Sequence, residues 1–254
     1  MLIKMIRRTI YGITAISLMV LLALGGFFLY QKFRKPTPDE FVKSCRHGDL
    51  REVKRGIRKG CDPDARALWG WRNDIEGESA LTAAAESGQT EVINMLLDHG
   101  AGVNRLDGFG RPAVVAAVRS GKLGVVRLLV ARGADASMAG QDGISALHMA
   151  AALGHIEIMR YLLDSELSID AQSKSKNSPL LSAVYTGQVE SVDFLLSKGA
   201  DKSVRNTSRK TALEETELQL AQFERYYQEK DWDEDDYKAS ILPYQKIKQL
   251  LQAE

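Results

Sequence analysis

The sequence predicts an all-α solenoid of about five to six helix-turn-helix units with short finger loops, preceded by one N-terminal transmembrane helix. Three observations lead there: an uncharged apolar run at residues 9–30, a block that recurs every 33 residues through the middle of the chain, and a globular balance of 44% hydrophobic to 26% charged residues. Two cysteines exclude a disulfide-dense scaffold and a tetracysteine zinc site. The net charge of +1 hides an asymmetry. Residues 1–35 hold six Lys/Arg and no Asp/Glu, whereas the rest carries 28 basic against 33 acidic groups. An acidic body argues against a nucleic-acid partner, whose phosphates are met with Lys and Arg.

Residues 1–8 form a short basic tail. Thr9–Tyr30 then runs for 22 residues without a charge; as a helix this spans about 33 Å, against a hydrocarbon core of about 30 Å. Tyr11 and Tyr30 stand near its ends, where aromatic rings favour the interface. Lys4, Arg7 and Arg8 flank it on one side, Lys32, Arg34 and Lys35 on the other. A cleaved signal peptide is the competing reading, with Ala23-Leu24-Gly25 as a poor cleavage site. Continuation through Phe27, Phe28, Leu29 and Tyr30 into a basic stop favours an uncleaved anchor in the lipid bilayer. The flanking charges nearly tie under the positive-inside rule. A lone N-terminal anchor before a large domain most often leaves that domain on the far side, so a single-pass inner or plasma membrane protein with an extracytoplasmic (periplasmic) domain is expected. Residues 31–38 are a linker.

Three columns define the repeats. Phe41, Leu81, Val114, Leu147, Leu180 and Leu213 are separated by 40 and then always by 33; Gly48, Gly88, Gly121, Gly154 and Gly187 keep the same spacing. Twelve residues further on stand Gly60, Gly100, Gly133, Glu166 and Gly199. Between the columns lie a short alanine-rich helix (residues 79–87 in one unit), a glycine turn, and a second helix such as Glu91–Leu97. Such a pair cannot bury both apolar faces alone, so neighbours must stack.

These residues resemble the ankyrin repeat. Asp142-Gly-Ile-Ser-Ala-Leu-His-Met-Ala-Ala-Ala-Leu-Gly-His-Ile-Glu157 follows that family's pattern closely, and Ser178-Pro-Leu180 with Gly199-Ala-Asp201 match it in another unit. The resemblance covers about 39–213 and implies ankyrin repeats over 39–210, with 211–254 as a helical C-terminal cap. Two departures stand out. Glu166 replaces a helix-ending glycine, which strains that corner by about 1–2 kcal/mol or reshapes it; Pro112-Ala-Val-Val115 replaces the usual motif. The first unit's second helix, Arg51–Lys59, is strongly charged, as a solvent-facing terminal repeat should be. The last unit has Leu220 where glycine is expected, and its stripe continues through Leu213, Thr216, Leu220, Phe223 and Tyr227. After the acidic break Asp231–Asp236, Pro243 leads into Ile247–Leu251, the expected replacement for the missing second helix.

No catalytic constellation emerges, so the chain reads as a non-enzyme without cofactor, metal or small-molecule substrate. His148 and His155 occupy the family's own histidine positions, where they make structural hydrogen bonds; His47 and His99 sit beside turn glycines, facing solvent. Asp231–Asp235 copies the start of a calcium loop, but Asp236 and Leu242 stand where glycine and glutamate are needed. Cys45 and Cys61 fall where other units have small apolar residues; they read as buried thiols, or as a disulfide if the domain faces an oxidising compartment.

The resemblance implies that another protein binds through the finger loops and the concave face of the first helices. That face maps to Ala83, Glu86, Ser87, Ala116, Arg119, Ser120, Met149, Ala152, Leu153, Ser182, Tyr185 and Thr186, with Met149, Leu153 and Tyr185 as an apolar centre or as ordinary packing. Phe109 and Ile144 belong to the fingers. The seven-residue excess between the first two units puts Trp69 and Trp71 on an enlarged finger, either as binding hot spots or as a lid over the first repeat. The function expected is a membrane-tethered protein-binding module, a scaffold or adaptor; the alternative is an immunity protein that blocks a toxic enzyme at the membrane.

Overall fold

Each repeat becomes a helix pair because it carries a start signal, two apolar faces and a stop. The computed structural model describes residues 34–69, 75–229 and 233–253, and divides into two units, Met1–Pro36 and Thr37–Glu254. The expected anchor, Thr9–Tyr30, lies outside the described residues, among which no helix is long and apolar enough to cross a membrane. In the second unit the pairs are α1 (Pro38–His47) with α2 (Leu50–Arg58), α3 (Ala80–Ser87) with α4 (Thr90–Asp98), α5 (Ala113–Arg119) with α6 (Leu123–Ala131), α7 (Ala146–Leu153) with α8 (Ile156–Asp164), and α9 (Pro179–Tyr185) with α10 (Val189–Ser197). Two longer helices, α11 (Ala212–Glu229) and α12 (Glu234–Gln252), close the stack.

Side-chain caps start most first helices. The Thr37 hydroxyl accepts from Glu40 N, and the Glu40 carboxylate accepts from Thr37 N at 3.0 Å. Ser79 and Thr82 exchange the same two bonds, and the Ser178 hydroxyl accepts from Leu181 N. Such caps each contribute about 1 kcal/mol. Pro112, the N-cap of α5, has no hydrogen-bonding side chain to offer, so the motif departure costs that helix its capping bond. In α7 the N-cap is Ser145 and the reciprocal bond comes from His148, whose Nδ1 accepts from Ser145 N at 3.3 Å while Nε2 donates to Asn177 O, 2.9 Å away in the next unit. Burial, the largest influence, holds its pKa below the ordinary value. The structural role expected of His148 is met. His155 departs from it: its Nε2 is buried without a hydrogen-bond partner among the described residues, and its ring lies over the Gly121 turn.

The turn glycines serve twice. Gly154 has φ 75°, a left-handed conformation, and a β-carbon there would stand 2.7 Å from Gln188 Oε1, which roofs the turn from the next unit. In the third column Glu166 takes the glycine conformation outright, at φ 62°. That corner keeps its shape and carries the strain. A further column, Gly110, Gly143, Lys176 and Arg209, also has positive φ and marks the finger tips; its change of residue type hides it from sequence reading.

The first helices pack against one another along the row, and the second helices touch only sparsely. Alanine explains the asymmetry, since small side chains let helix axes approach; all of Ala80–Ala85 is buried. The fingers join through backbone bonds, Gly108 N to Gly77 O at 2.8 Å, Gln141 N to Gly110 O at 3.0 Å and Thr207 N to Ser175 O at 3.0 Å. The helical stack is as expected, and the enlarged first finger adds one local strand pair to it. It is an antiparallel hairpin of β1 (Arg66–Trp69) and β2 (Ile75–Ser79), with Trp69 opposite Ile75 and an irregularity between Arg66 and Leu68.

The cap also differs in detail from expectation. Helix α12 starts at Glu234, with Asp233 accepting from Asp235 N and acidic residues filling its first turn, so Asp233–Asp236 form a helix start. Pro243 lies inside the helix rather than before it. Ile241, Tyr244, Ile247 and Leu251 are buried; α12 packs on α10 and α11, and Tyr244 covers the Gly187 turn where another repeat would follow. Cys45 and Cys61 are free buried thiols. Burial, and then the neighbouring Cys61, push the Cys45 thiol up to about 12, so it stays protonated and inert.

Candidate partner-binding surface

Large apolar side chains seldom stay exposed without cause when they gather on one face. Among the described residues five are exposed: Phe109 (40%), Leu153 (40%), Tyr185 (36%), Tyr226 and Leu242. The first three belong to the second finger and to the C-terminal ends of α7 and α9. Met149 is half-buried against the core and Ile144 half-buried in its finger. Ala83 and Ala116, placed on this face by sequence, are instead buried, because the alanine-rich helices pack too closely to leave them open.

Two of the three exposed aromatic or aliphatic groups are held in place. Asp107, its side chain buried, accepts from Phe109 N at 3.0 Å, from Arg111 N at 2.8 Å and from the Arg111 guanidinium at 2.9 and 3.1 Å. This turn sets the guanidinium 4.9 Å from the centre of the Phe109 ring, a cation–π contact. Tyr185 accepts at its hydroxyl from Asn206 Nδ2 at 2.8 Å, and the same amide group donates to Glu215 Oε1 at 2.8 Å. Asn206 and Glu215 are buried, and Tyr185 has its pKa raised, first by burial and then by Glu215. Preorganised rings lose little freedom on binding.

Toward the N-terminal end the face turns polar around a cleft of about 710 Å³ whose lining includes Arg46, Glu78, Glu86, Phe109, Arg111 and Arg119. Arg119 pairs with Glu86 on α3, the first helix of the preceding unit, and Arg46 with the buried Glu78. Arg46, Glu78, Arg111 and Asp107 were missed by sequence reading. The signal existed: Arg46, Glu86, Arg119, Ala152 and Tyr185 keep the 40-then-33 spacing and run along one line of the first helices. Trp69 ends β1, and Trp71 lies outside the described residues, as do Lys4, Arg7, Arg8 and Lys32; Arg34 and Lys35 are described in the first unit. No group of His, Cys, Asp or Glu among the described residues could hold a metal ion.

The family model for ankyrin repeats in three copies matches residues 41–139 and again 133–206. The chain belongs to the ankyrin-repeat family. Ankyrin repeats are protein-interaction modules. No curated protein matches the sequence.

Proposed function

We propose that this chain is a membrane-tethered ankyrin module that captures a partner protein through its fingers and first-helix face. One observation carries the reading: Phe109, Leu153 and Tyr185, three of the five exposed large apolar side chains among the described residues, lie on the fingers and first-helix ends, and Phe109 also lines a cleft walled by arginine–carboxylate pairs. Apolar anchors ringed by polar groups are the arrangement binding hot spots favour. Thr9–Tyr30 is the tether, with the repeats on the extracytoplasmic side. The module holds its partner and performs no chemistry of its own.

The test is capture from detergent-solubilised membranes with the wild-type chain and with Leu153→Asp and Phe109→Ala, followed by titration with the protein recovered. Each substitution is expected to weaken binding by about 2 kcal/mol, some thirtyfold, with the helical signal unchanged. Equal capture by the variants refutes the site. Release of the full chain from membranes by alkaline carbonate refutes the tether.

A further inference from the structure

We propose a second interaction surface: the outer face of α2 lies on the anionic headgroups of the bilayer in which the chain is anchored. This rests on the tether proposed above. Helix α2 carries four Lys/Arg and one Glu in nine residues, whereas its counterparts α4 and α10 carry no Lys/Arg, and α6 and α8 one each. Those two are engaged within the stack, Arg127 over the Tyr161 ring at 5.2 Å and Arg160 over Phe194 at 5.3 Å. Arg51, Lys54 and Arg58 are exposed and, among the described residues, form no ion pair. Their spacing of three and four places them on one side of the helix, opposite buried Val53 and Gly56; Arg55 is paired with Glu52 at 2.9 Å.

A terminal repeat needs a polar flank, and charges of either sign provide one. A face of one sign is a stronger feature, more so here because residues 61–254 hold 21 basic against 29 acidic groups. Distance selects the occupant. Seven residues, 31–37, separate Tyr30 from the start of α1, a reach of about 25 Å when fully extended. With the tether proposed above, that reach confines the start of the first repeat to the neighbourhood of the headgroups, and basic segments next to a bilayer are drawn to anionic lipid. As a second helix, α2 stands on the row opposite the first-helix face. Docking through it leaves the partner surface open.

The experiment uses the full chain with Cys45→Ala and Cys61→Ala, matching the Ala85 and Ala101 of the next unit. A fluorophore is placed at His47→Cys, beside α2, or at Asp193→Cys on α10; both parent positions are exposed. The chain is reconstituted in nanodiscs of phosphatidylcholine, alone or mixed with phosphatidylglycerol, with nitroxide-labelled headgroups as quencher. Quenching at position 47 is expected to be about twofold stronger with the anionic lipid. It should be lost in about 1 M salt, where charges are screened within about 3 Å, and in Arg51→Glu/Arg58→Glu. Position 193 should be insensitive. Equal quenching at 47 in both lipids overturns the docking and leaves the tether standing. Failure of the full chain to float with neutral vesicles in high salt overturns the tether and the docking with it. If Arg51→Glu/Arg58→Glu abolishes capture of a protein while quenching is unchanged, the face belongs to an acidic protein and the lipid assignment is wrong.

Discussion

Replacing Glu166 by glycine is expected to stabilise the repeat domain. Glu166 is an exposed residue at φ 62°, with its amide donating to Leu163 O at 3.0 Å, a bond glycine retains. A side chain in this conformation costs about 1–2 kcal/mol. Glycine's greater freedom in the unfolded chain takes back about 0.5–1 kcal/mol, leaving a net gain of about 0.5–1 kcal/mol. The structure supplies the mirror experiment. At Gly100 and Gly133, the same corner in the preceding units, φ is 94° and 90° and an added β-carbon meets nothing within 4 Å. Gly133→Ala should therefore report the backbone cost alone, with the opposite sign. Gly143→Ala should cost more, about 2 kcal/mol or above, since its β-carbon would stand 2.6 Å from Lys174 N. Urea denaturation of residues 36–254, followed by far-ultraviolet circular dichroism, measures all three. For a denaturant slope of about 2–3 kcal/mol per molar, Glu166→Gly moves the midpoint up by about 0.3 M. A midpoint that stays or falls refutes the strain argument, as does a neutral Gly133→Ala.

Three further outcomes are expected. His148 has its folded pKa depressed below the ordinary 6.5, so the unfolded chain binds its proton more readily; stability is full above about pH 6.5, declines as pH falls toward the folded value, and flattens over that window in His148→Gln, read as denaturation midpoint against pH. Ile247→Ala in the cap should cost about 2–4 kcal/mol, since the side chain is fully buried; a loss below about 1 kcal/mol removes α12 from the core. Cys45, buried and pushed up to about 12, should resist thiol reagents at neutral pH until urea unfolds the domain; prompt labelling of the native protein at Cys45, located by peptide mapping, contradicts that burial.

The sequence alone determined the repeat period, the helix pairs, the turn glycines and the structural role of His148. All of these are local: a capping serine three residues before its partner, a glycine at a turn, and an apolar stripe at helical spacing are complete within one unit. The cap helix escaped in part, since proline usually marks a helix start and Pro243 instead sits within α12. Tertiary structure decided what lies between units. Arg119 meets Glu86 from 33 residues away, and Tyr244 covers Gly187 and donates to Tyr185 O across 59 residues. Ala83 and Ala116 carry the helical phase of an exposed face yet are buried, because helix separation is set by the neighbouring unit's side chains. A residue's phase on its helix is written in its own repeat; which side of the stack is sealed, and which arginine finds which carboxylate, depends on how repeats pack upon each other.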